Sequence, residues 1–262
     1  MTQRRWIAER WDEKSATIVG AHAEHLARVL RAQPGMEADV VAGGRVFHAQ
    51  VEAVSLDGEN SEVRFRLVAE LESDPALPVT LVLAVYKFDR MEWAIEKATE
   101  LGVAAIAPVI ARRTEKHLAQ AAAKRSERWR RIAHEAAQQA RRSDVPQVLA
   151  PIALAERVRA ASTSTRIVLA EQERSTTLRH AVDDAVNTTK GGTAEGGTTK
   201  GKAGTRALPA LEIAIGPEGG WAPDEESLFD ANGWRAVSLG PRILRAETAA
   251  IAALAVVASV FE

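Results

Sequence analysis

The sequence predicts an α/β protein with a mostly parallel sheet, preceded by a small strand-rich domain, and three observations carry that prediction. From Val79 onward apolar strand-like runs alternate with helical ones, as in "VTLVLAVYK", "RMEWAIEKATEL" and "VAAIAPVIA", a βαβ unit that requires parallel strands. Before Asp74-Pro75 the pattern is different. There "ADVVAGGRVFHAQVEAVSL" and "SEVRFRLVAELE" alternate apolar and polar residues around Gly43-Gly44 and Asp57-Gly58, the mark of hairpins in an antiparallel sheet or small barrel. Between Leu211 and Ala250 the chain then gives a strand followed by a glycine loop twice over.

Taken in order, "RRWIAER" reads as an edge strand with solvated charges. "AHAEHLARVLR" reads as a helix with Leu26, Val29 and Leu30 on its apolar face, stopped by Pro34-Gly35. His22 and His25 stand three apart on that helix, but no third ligand of fitting spacing follows, so no metal is expected. The Asp74-Pro75 and Leu77-Pro78 turns divide residues 1–73 from a second domain, residues 74–262. In that domain the helix "RMEWAIEKATEL" buries Ala94, Ile95, Ala98 and Leu101 and closes at Gly102. A long helix from about Ser126 to Arg142 turns Trp129, Ile132, Ala133, Ala136 and Ala140 to one face. Arg166 to Ala170 reads as another strand and "LRHAVDDAV" as a helix. Residues 187–206, "NTTKGGTAEGGTTKGKAGTR", hold almost no apolar side chain and predict a disordered Gly/Thr/Lys-rich surface insert. "IAALAVVASVF" is apolar nearly all the way round and predicts a helix buried in its own domain or against a second copy of the chain.

At 262 residues, with 46% hydrophobic and 26% charged residues, the chain can build one large or two modest cores. It has no cysteine, which excludes disulfides, thiol nucleophiles and thiolate metal sites. The opening "MTQRRWIAERWDEK" lacks the apolar core of a signal peptide. The longest apolar run, Ala249 to Phe261, is too short to span a bilayer, so a cytoplasmic protein without membrane contact is expected. A net charge of −1 conceals a strongly basic stretch, because between Arg112 and Arg142 ten basic residues face only Glu115, Glu127 and Glu135.

The tandem loops are the best candidate for a ligand site. Leu211 to Ile215 leads into a loop whose Gly216, Gly219 and Gly220 leave the backbone uncovered, with Pro217 fixing its shape. The strand Trp234 to Leu239 leads into Gly240-Pro241-Arg242, after which Arg245, Glu247 and Thr248 stand at the mouth of an Ala-rich helix. Bare N–H and C=O groups in such loops can read a small polar molecule. No Gly-Lys-Ser/Thr follows, and the spacing is not Gly-x-Gly-x-x-Gly, which weighs against a Walker loop and a dinucleotide site. The end of the strand Arg166 to Ala170 can join the same cleft, since open parallel sheets bind at strand carboxyl ends.

Four stretches in fixed order, "LAVYKFDRMEWAIEKATELGV", "ERWRRIAHEAAQQARRSDVPQV", "IGPEGGW" and "LGPRILRAETAA", behind "EHLARVLRAQPG", closely resemble the ribosomal RNA small subunit methyltransferase E family. The likeness covers almost the whole chain apart from residues 187–206. It implies the SPOUT class of α/β domain with a deep trefoil knot, an N-terminal PUA-like RNA-binding barrel, and a homodimer. It also implies S-adenosylmethionine as cofactor and, as substrate, N3 of a uridine in 16S rRNA, position 1498 in the customary rRNA numbering, within the assembled small subunit. Carried over by motif, the cofactor residues are Leu169, Ala170 and Glu171; Ile215, Gly216, Pro217, Glu218, Gly219 and Gly220; and Leu239, Gly240, Pro241, Ile243 and Leu244, with Thr248 and Ala249. The chain departs from the family at Lys87-Phe88-Asp89-Arg90-Met91, where Phe88 replaces a usual glycine.

Methylating uracil N3 requires loss of its proton, so a cation near O2 or O4 is needed to stabilise the anion. Arg245 is the first choice for that role, with a salt bridge to Glu247 or Glu218 as its structural alternative. Either Glu247 or Glu218 can accept the proton or hold the arginine, and alignment alone can supply much of the rate without a dedicated base. Arg5 on the first domain, and Arg112, Arg113, Arg128 and Arg142 on the basic stretch, are expected to bind rRNA through phosphates. A SPOUT enzyme with another target nucleotide, or a non-catalytic assembly factor, are the rival readings.

Overall fold

The computed structural model describes residues 5–191 and 208–261. The chain divides into two units, one holding the residues up to Ala76 together with His134–Val145, the other Leu77–Ala133 together with the residues from Pro146 on. Residues 134–145, expected in the second domain, thus cluster with the first.

The first unit contains β1 (Trp6–Ile7), β2 (Arg10–Trp11), β3 (Ser15–Val19), α1 (Gly20–Arg28), β4 (Glu37–Ala42), β5 (Arg45–Ser55) and β6 (Glu62–Leu71), with strand order β1-β4-β5-β6-β3-β2. Gly43 and Gly44 join β4 to β5 with φ of 60° and 78°. A two-residue turn with both residues at positive φ has the twist that adjacent strands need. At Gly43 an added Cβ would also stand 2.8 Å from the Trp11 indole nitrogen, so a side chain there would have to displace that ring. Along β6, Val63 and Phe65 are fully buried while Arg64 and Arg66 face solvent, which is the period-two pattern the sequence carries.

Two details of this unit differ from the sequence reading. β1 pairs with β4 in parallel, the only parallel pair in an otherwise antiparallel sheet among the described residues. Val29 and Leu30, assigned by spacing to a buried helical face, are 63% and 48% exposed. The reason is local: α1 ends at Arg28 and Arg31 turns the chain at φ 53°, so the apolar stripe loses its helix before it reaches them.

The second unit follows as β7 (Leu77–Ala84), α2 (Phe88–Glu100), β8 (Val103–Ile110) and α3 (Lys116–Gln139), whose residues from His134 on belong to the first unit. Then come β9 (Gln147–Val148), β10 (Ile152–Ala153), α4 (Leu154–Arg159), β11 (Thr165–Leu169), α5 (Leu178–Gly191), β12 (Leu211–Ile215), α6 (Pro223–Ala231), β13 (Arg235–Val237) and α7 (Ala246–Phe261). The sheet runs β10-β8-β7-β12-β11-β13, with β9 also on β8, and every pair is parallel. Its two faces are both covered. Leu81 and Leu83 of β7 pack with Trp129 and residues of α2, α5 and α7, while Val82 and Ala84 pack with Trp221, Phe229 and Trp234. Alternate residues therefore serve opposite layers, as burial on both sides demands.

α3 begins ten residues earlier than read, because "KHLAQAAAK" contains no breaker and is rich in alanine, the best helix former. α5 runs on through Asn187 to Gly191, the first residues of the expected insert, and 192–206 lie outside the described residues. α7 buries Ala250, Ala253, Leu254 and Val257 within its own unit. Among the described residues no helix is long and apolar enough to cross a membrane.

Candidate functional site

Three neighbouring strands, β12, β11 and β13, end on one cleft of about 360 Å³. Leu169 closes β11, Ile215 closes β12 and Val237 closes β13, and the loops leaving all three form its wall. This is the place where a parallel sheet exposes unpaired strand ends to a ligand. The loops are held from behind. Trp221 donates its indole N–H to the Leu169 carbonyl at 3.1 Å, and Gly220 N–H bonds Pro217 O at 2.8 Å. Gly220 sits at φ 69°, which only glycine adopts readily, while a Cβ on Gly216 would press on the Trp221 ring at 3.2 Å, so one glycine answers a backbone requirement and the other a steric one.

The loop after β11 is equally fixed. Leu178 N–H bonds Ser238 O and Ser238 N–H bonds Thr176 O, both at 2.9 Å. The Glu173 carboxylate accepts the Ser175 hydroxyl and the N–H groups of Ser175 and Thr176, which holds its pKa down to about 2. Gly240, at φ 119°, bonds Ser238 Oγ through its N–H at 3.0 Å, and its carbonyl faces Arg174 at 3.4 Å.

Of the residues carried over by motif, Leu169, Ala170, Glu171, Ile215 to Gly220, Leu239, Gly240, Ile243, Leu244 and Ala249 line this cleft, as does Arg245. Pro241, Glu247 and Thr248 do not line it. The sequence reading passed over Arg90, Arg174, Trp221 and Ser238, which also line it. Ile243 projects with 74% of its surface exposed, an apolar side chain at the rim of a polar cleft.

Arg90 is the most consequential omission. It forms a hydrogen-bonded ion pair with Glu218, and its Nε lies 3.9 Å from Glu247. The salt bridge that the sequence allowed to Arg245 is therefore made by Arg90. Arg245 is exposed, and among the described residues its side chain makes no hydrogen bond or ion pair. Lys87 approaches the other oxygen of Glu218 at 3.9 Å. Behind this cluster lies Tyr86, 3% exposed, two residues beyond β7. Burial first, and then the charges of Glu247 and Glu218, push its hydroxyl well above the usual tyrosine range, so it stays protonated. Among the described residues neither the Tyr86 hydroxyl nor Glu247 Oε2 has a hydrogen-bond partner.

Phe88 needs no glycine-like conformation. It is the first residue of α2, lies edge-on to Trp129 with centroids 6.0 Å apart, and carries the Arg125 guanidinium 4.8 Å above its ring. The Lys-Phe-Asp-Arg stretch thus opens as a helix start packed on α3, and places Arg90 within the first turn.

The five expected RNA-binding arginines have different surroundings. Arg112 pairs with Asp224 at 2.6 Å, Arg113 donates to Gly219 O on the cleft wall, and Arg128 pairs with Glu92 at 2.8 Å. Arg5 donates to the Arg141 carbonyl. Arg142 is a correction: it is buried, 8% exposed, and forked onto Asp144 at 2.6 and 3.1 Å, which makes it a structural ion pair. Lys116, Lys124 and Arg131, at near-helical spacing along α3, are exposed and make no hydrogen bond or ion pair among the described residues.

The RNA methyltransferase domain family matches residues 72–258. The chain is 34% identical over 253 residues to a ribosomal RNA small subunit methyltransferase E from Synechocystis sp., covering 95% of this chain and 75% of that protein. It is 34% identical over 248 residues to one from Mycobacterium bovis, covering 92% and 85%. Among solved structures it resembles a ribosomal RNA small subunit methyltransferase E from Neisseria gonorrhoeae bound to S-adenosyl methionine, with 29% identity, TM-score 0.72 and coverage of 97% and 95%. It also resembles a methyltransferase from Legionella pneumophila in complex with the same cofactor, with 29% identity, TM-score 0.76 and coverage of 99% and 97%. With two such relatives matched along nearly its whole length, and with the cleft at the strand ends in place, the chain belongs to the ribosomal RNA small subunit methyltransferase E family.

Proposed function

We propose that this chain is the S-adenosylmethionine-dependent enzyme that methylates N3 of a uridine in 16S rRNA, acting in the cytoplasm as a homodimer on the assembled small subunit. On this reading the second unit is a knotted SPOUT domain and the first a PUA-like RNA-binding domain. The observation that carries it is the cleft: its volume suits a cofactor of this size, and its walls combine apolar side chains with uncovered peptide groups. Leu169, Leu239, Leu244 and Ala249 offer apolar contact for a purine, and Gly216, Gly219 and Gly220 offer backbone donors and acceptors with no Cβ of their own in the way. When bound, the cofactor supplies a methyl group on a positively charged sulfur.

The chain's own residues then divide the work at uracil. Arg245, on the cleft wall and without a side-chain hydrogen bond or ion pair among the described residues, donates to the carbonyl oxygen on which charge develops as N3 loses its proton. Glu218 lines the cleft and Glu247 does not, so Glu218 is the proton acceptor and Glu247 a positioning residue that holds Arg90 from the buried side. Arg112, Arg113 and Arg128, joined by Lys116, Lys124 and Arg131 along α3, engage rRNA phosphates, and Arg5 does so from the first unit.

The test is methyl transfer from labelled S-adenosylmethionine to small subunits lacking the modification, beside free 16S rRNA, with nuclease digestion to locate the label. Label at uridine N3 in the subunit is the expected result. Label on another base would assign a different target, and no cofactor binding by calorimetry would leave a non-catalytic assembly factor.

A further inference from the structure

Outside the cleft, the first unit gathers three potential ligands that no sequence spacing connects. Glu9 follows β1, His22 lies in the first turn of α1, and His134 lies in the portion of α3 that clusters with this unit. One ligand atom from each falls within 4.8 Å of the other two. His22 Nδ1 is 3.3 Å from Glu9 Oε1, and the His22 and His134 rings are stacked, with centroids 4.9 Å apart and planes inclined by 11°.

We propose that Glu9, His22 and His134 form a binding site for a single zinc-type divalent cation. Two imidazole nitrogens and one carboxylate oxygen form the mixed donor set that borderline transition ions prefer and that magnesium and calcium do not. Bonds of roughly 2.0–2.1 Å in a tetrahedral arrangement put neighbouring ligand atoms about 3.3 Å apart, and Glu9 and His22 already stand at that separation. The stacked rings do not converge as they stand, so binding requires the His134 ring to turn about its last torsion, which is soft for an aromatic ring, to bring a ring nitrogen in from a separation of up to 4.8 Å.

The carboxylate is also prepared as a ligand should be. Its second oxygen, Oε2, accepts the Val19 N–H at 3.0 Å, immediately before α1, which orients the group and leaves Oε1 toward the histidines. His22 and Glu9 are about one-third exposed, so an ion and a completing water can reach them. Because His134 is more than a hundred residues from the other two, the ion would cross-link distant parts of one unit. That kind of constraint stabilises a fold most.

The experiment uses the full chain, stripped with chelator and titrated with zinc alone at pH 7.5, where free imidazole is mostly neutral. Calorimetry should give one equivalent, cobalt should give the visible absorption of a tetrahedral site, and the melting temperature should rise with zinc. His22→Ala and His134→Ala should each weaken zinc binding by about 100-fold or more, beyond the cost of losing an outer-shell partner. Glu9→Gln keeps the acceptor for Val19 and should weaken binding without unfolding the unit. His117→Ala, at an exposed histidine elsewhere, should change nothing. Should an alanine variant fail to fold by circular dichroism, His134→Asn replaces it. Zinc binding that survives these substitutions, or that needs millimolar zinc, would overturn the site.

Discussion

The two sheets use their charged side chains in opposite ways. In the antiparallel sheet of the first unit one face is wet, and charges on it pair across strands, as Arg45 does with Glu70, Arg10 with Glu62 and Arg64 with Glu52. Such pairs are exposed and satisfy one another. In the parallel sheet both faces are dry, and beyond the strand ends that face the cleft Arg90, Glu218, Glu247 and Arg245 gather without complete pairing among the described residues. Part of the incompletely paired charge thus stands where a ligand can use it, while Arg157, Arg166 and Glu212 carry buried atoms without a hydrogen bond among the described residues, away from the cleft.

Substitutions should expose that contrast, and the largest effect belongs to Arg245. Arg245→Ala should lower kcat for methyl transfer by about 10²–10³, the usual cost of removing a group aimed at developing charge, while cofactor affinity by calorimetry stays within about threefold. Equal loss of both quantities would make Arg245 a loop-shaping residue. Next comes Arg90→Ala, which leaves Glu218 and Glu247 without their shared cation. Misplaced carboxylates should cost about 10- to 100-fold in kcat, and lysine should restore little, because it lacks the fork that serves two acceptors.

Smaller effects should separate the glycines from one another. A Cβ at Gly216 meets the Trp221 ring at 3.2 Å, whereas one at Gly219 meets only the flexible Arg113 side chain at 3.4 Å. Gly216→Ala should weaken cofactor binding by about tenfold through displacement of that ring, and Gly219→Ala by less than about threefold. Glu173→Gln, in the loop after β11, should weaken it a few-fold. Because the Glu173 carboxyl is held at about 2 against 4.5 when free, its grip on the loop is fully present above the free value and is lost as pH falls through the bound one. Side-chain carbon NMR should find this carboxyl still ionised at pH 3.5, and a midpoint near 4.5 would show the loop to be loose.

Much of this architecture is legible in the chain because it depends on local pattern. The Gly43-Gly44 hairpin and the two glycine loops follow from turn chemistry, and the strand Leu211–Ile215, buried at all five positions, from its apolar run, which short windows record. What short windows do not record is which distant side chains converge. Arg90 sits in a motif visible in the sequence, yet its pairing with Glu218 spans 128 residues. His22 suggested His25 by spacing, but its ring meets His134 instead. Arg142 reads as one more surface cation, but its side chain is buried and forked onto the half-buried Asp144 two residues on. Charge composition shows that cations are present and leaves open which of them are already engaged.

The smallest effect should come from the first unit's sheet, and it tests the comparison most directly. Arg45 and Glu70 make a two-point hydrogen-bonded pair, which raises the pKa of the arginine and lowers that of the glutamate, yet both side chains are about half exposed. Water and salt screen such a pair, and ordering two long side chains offsets much of the gain. Arg45→Ala, Glu70→Ala and the double variant should each shift the melting temperature by less than about 2 °C, and raising salt should shrink even that. Arg90→Ala in the same assay should move it further, because Glu247, only 6% exposed, then keeps a buried charge with no cation beside it. Equal shifts at the two sites would mean that exposure, and with it the sheet topology that sets exposure, does not decide what these charges contribute.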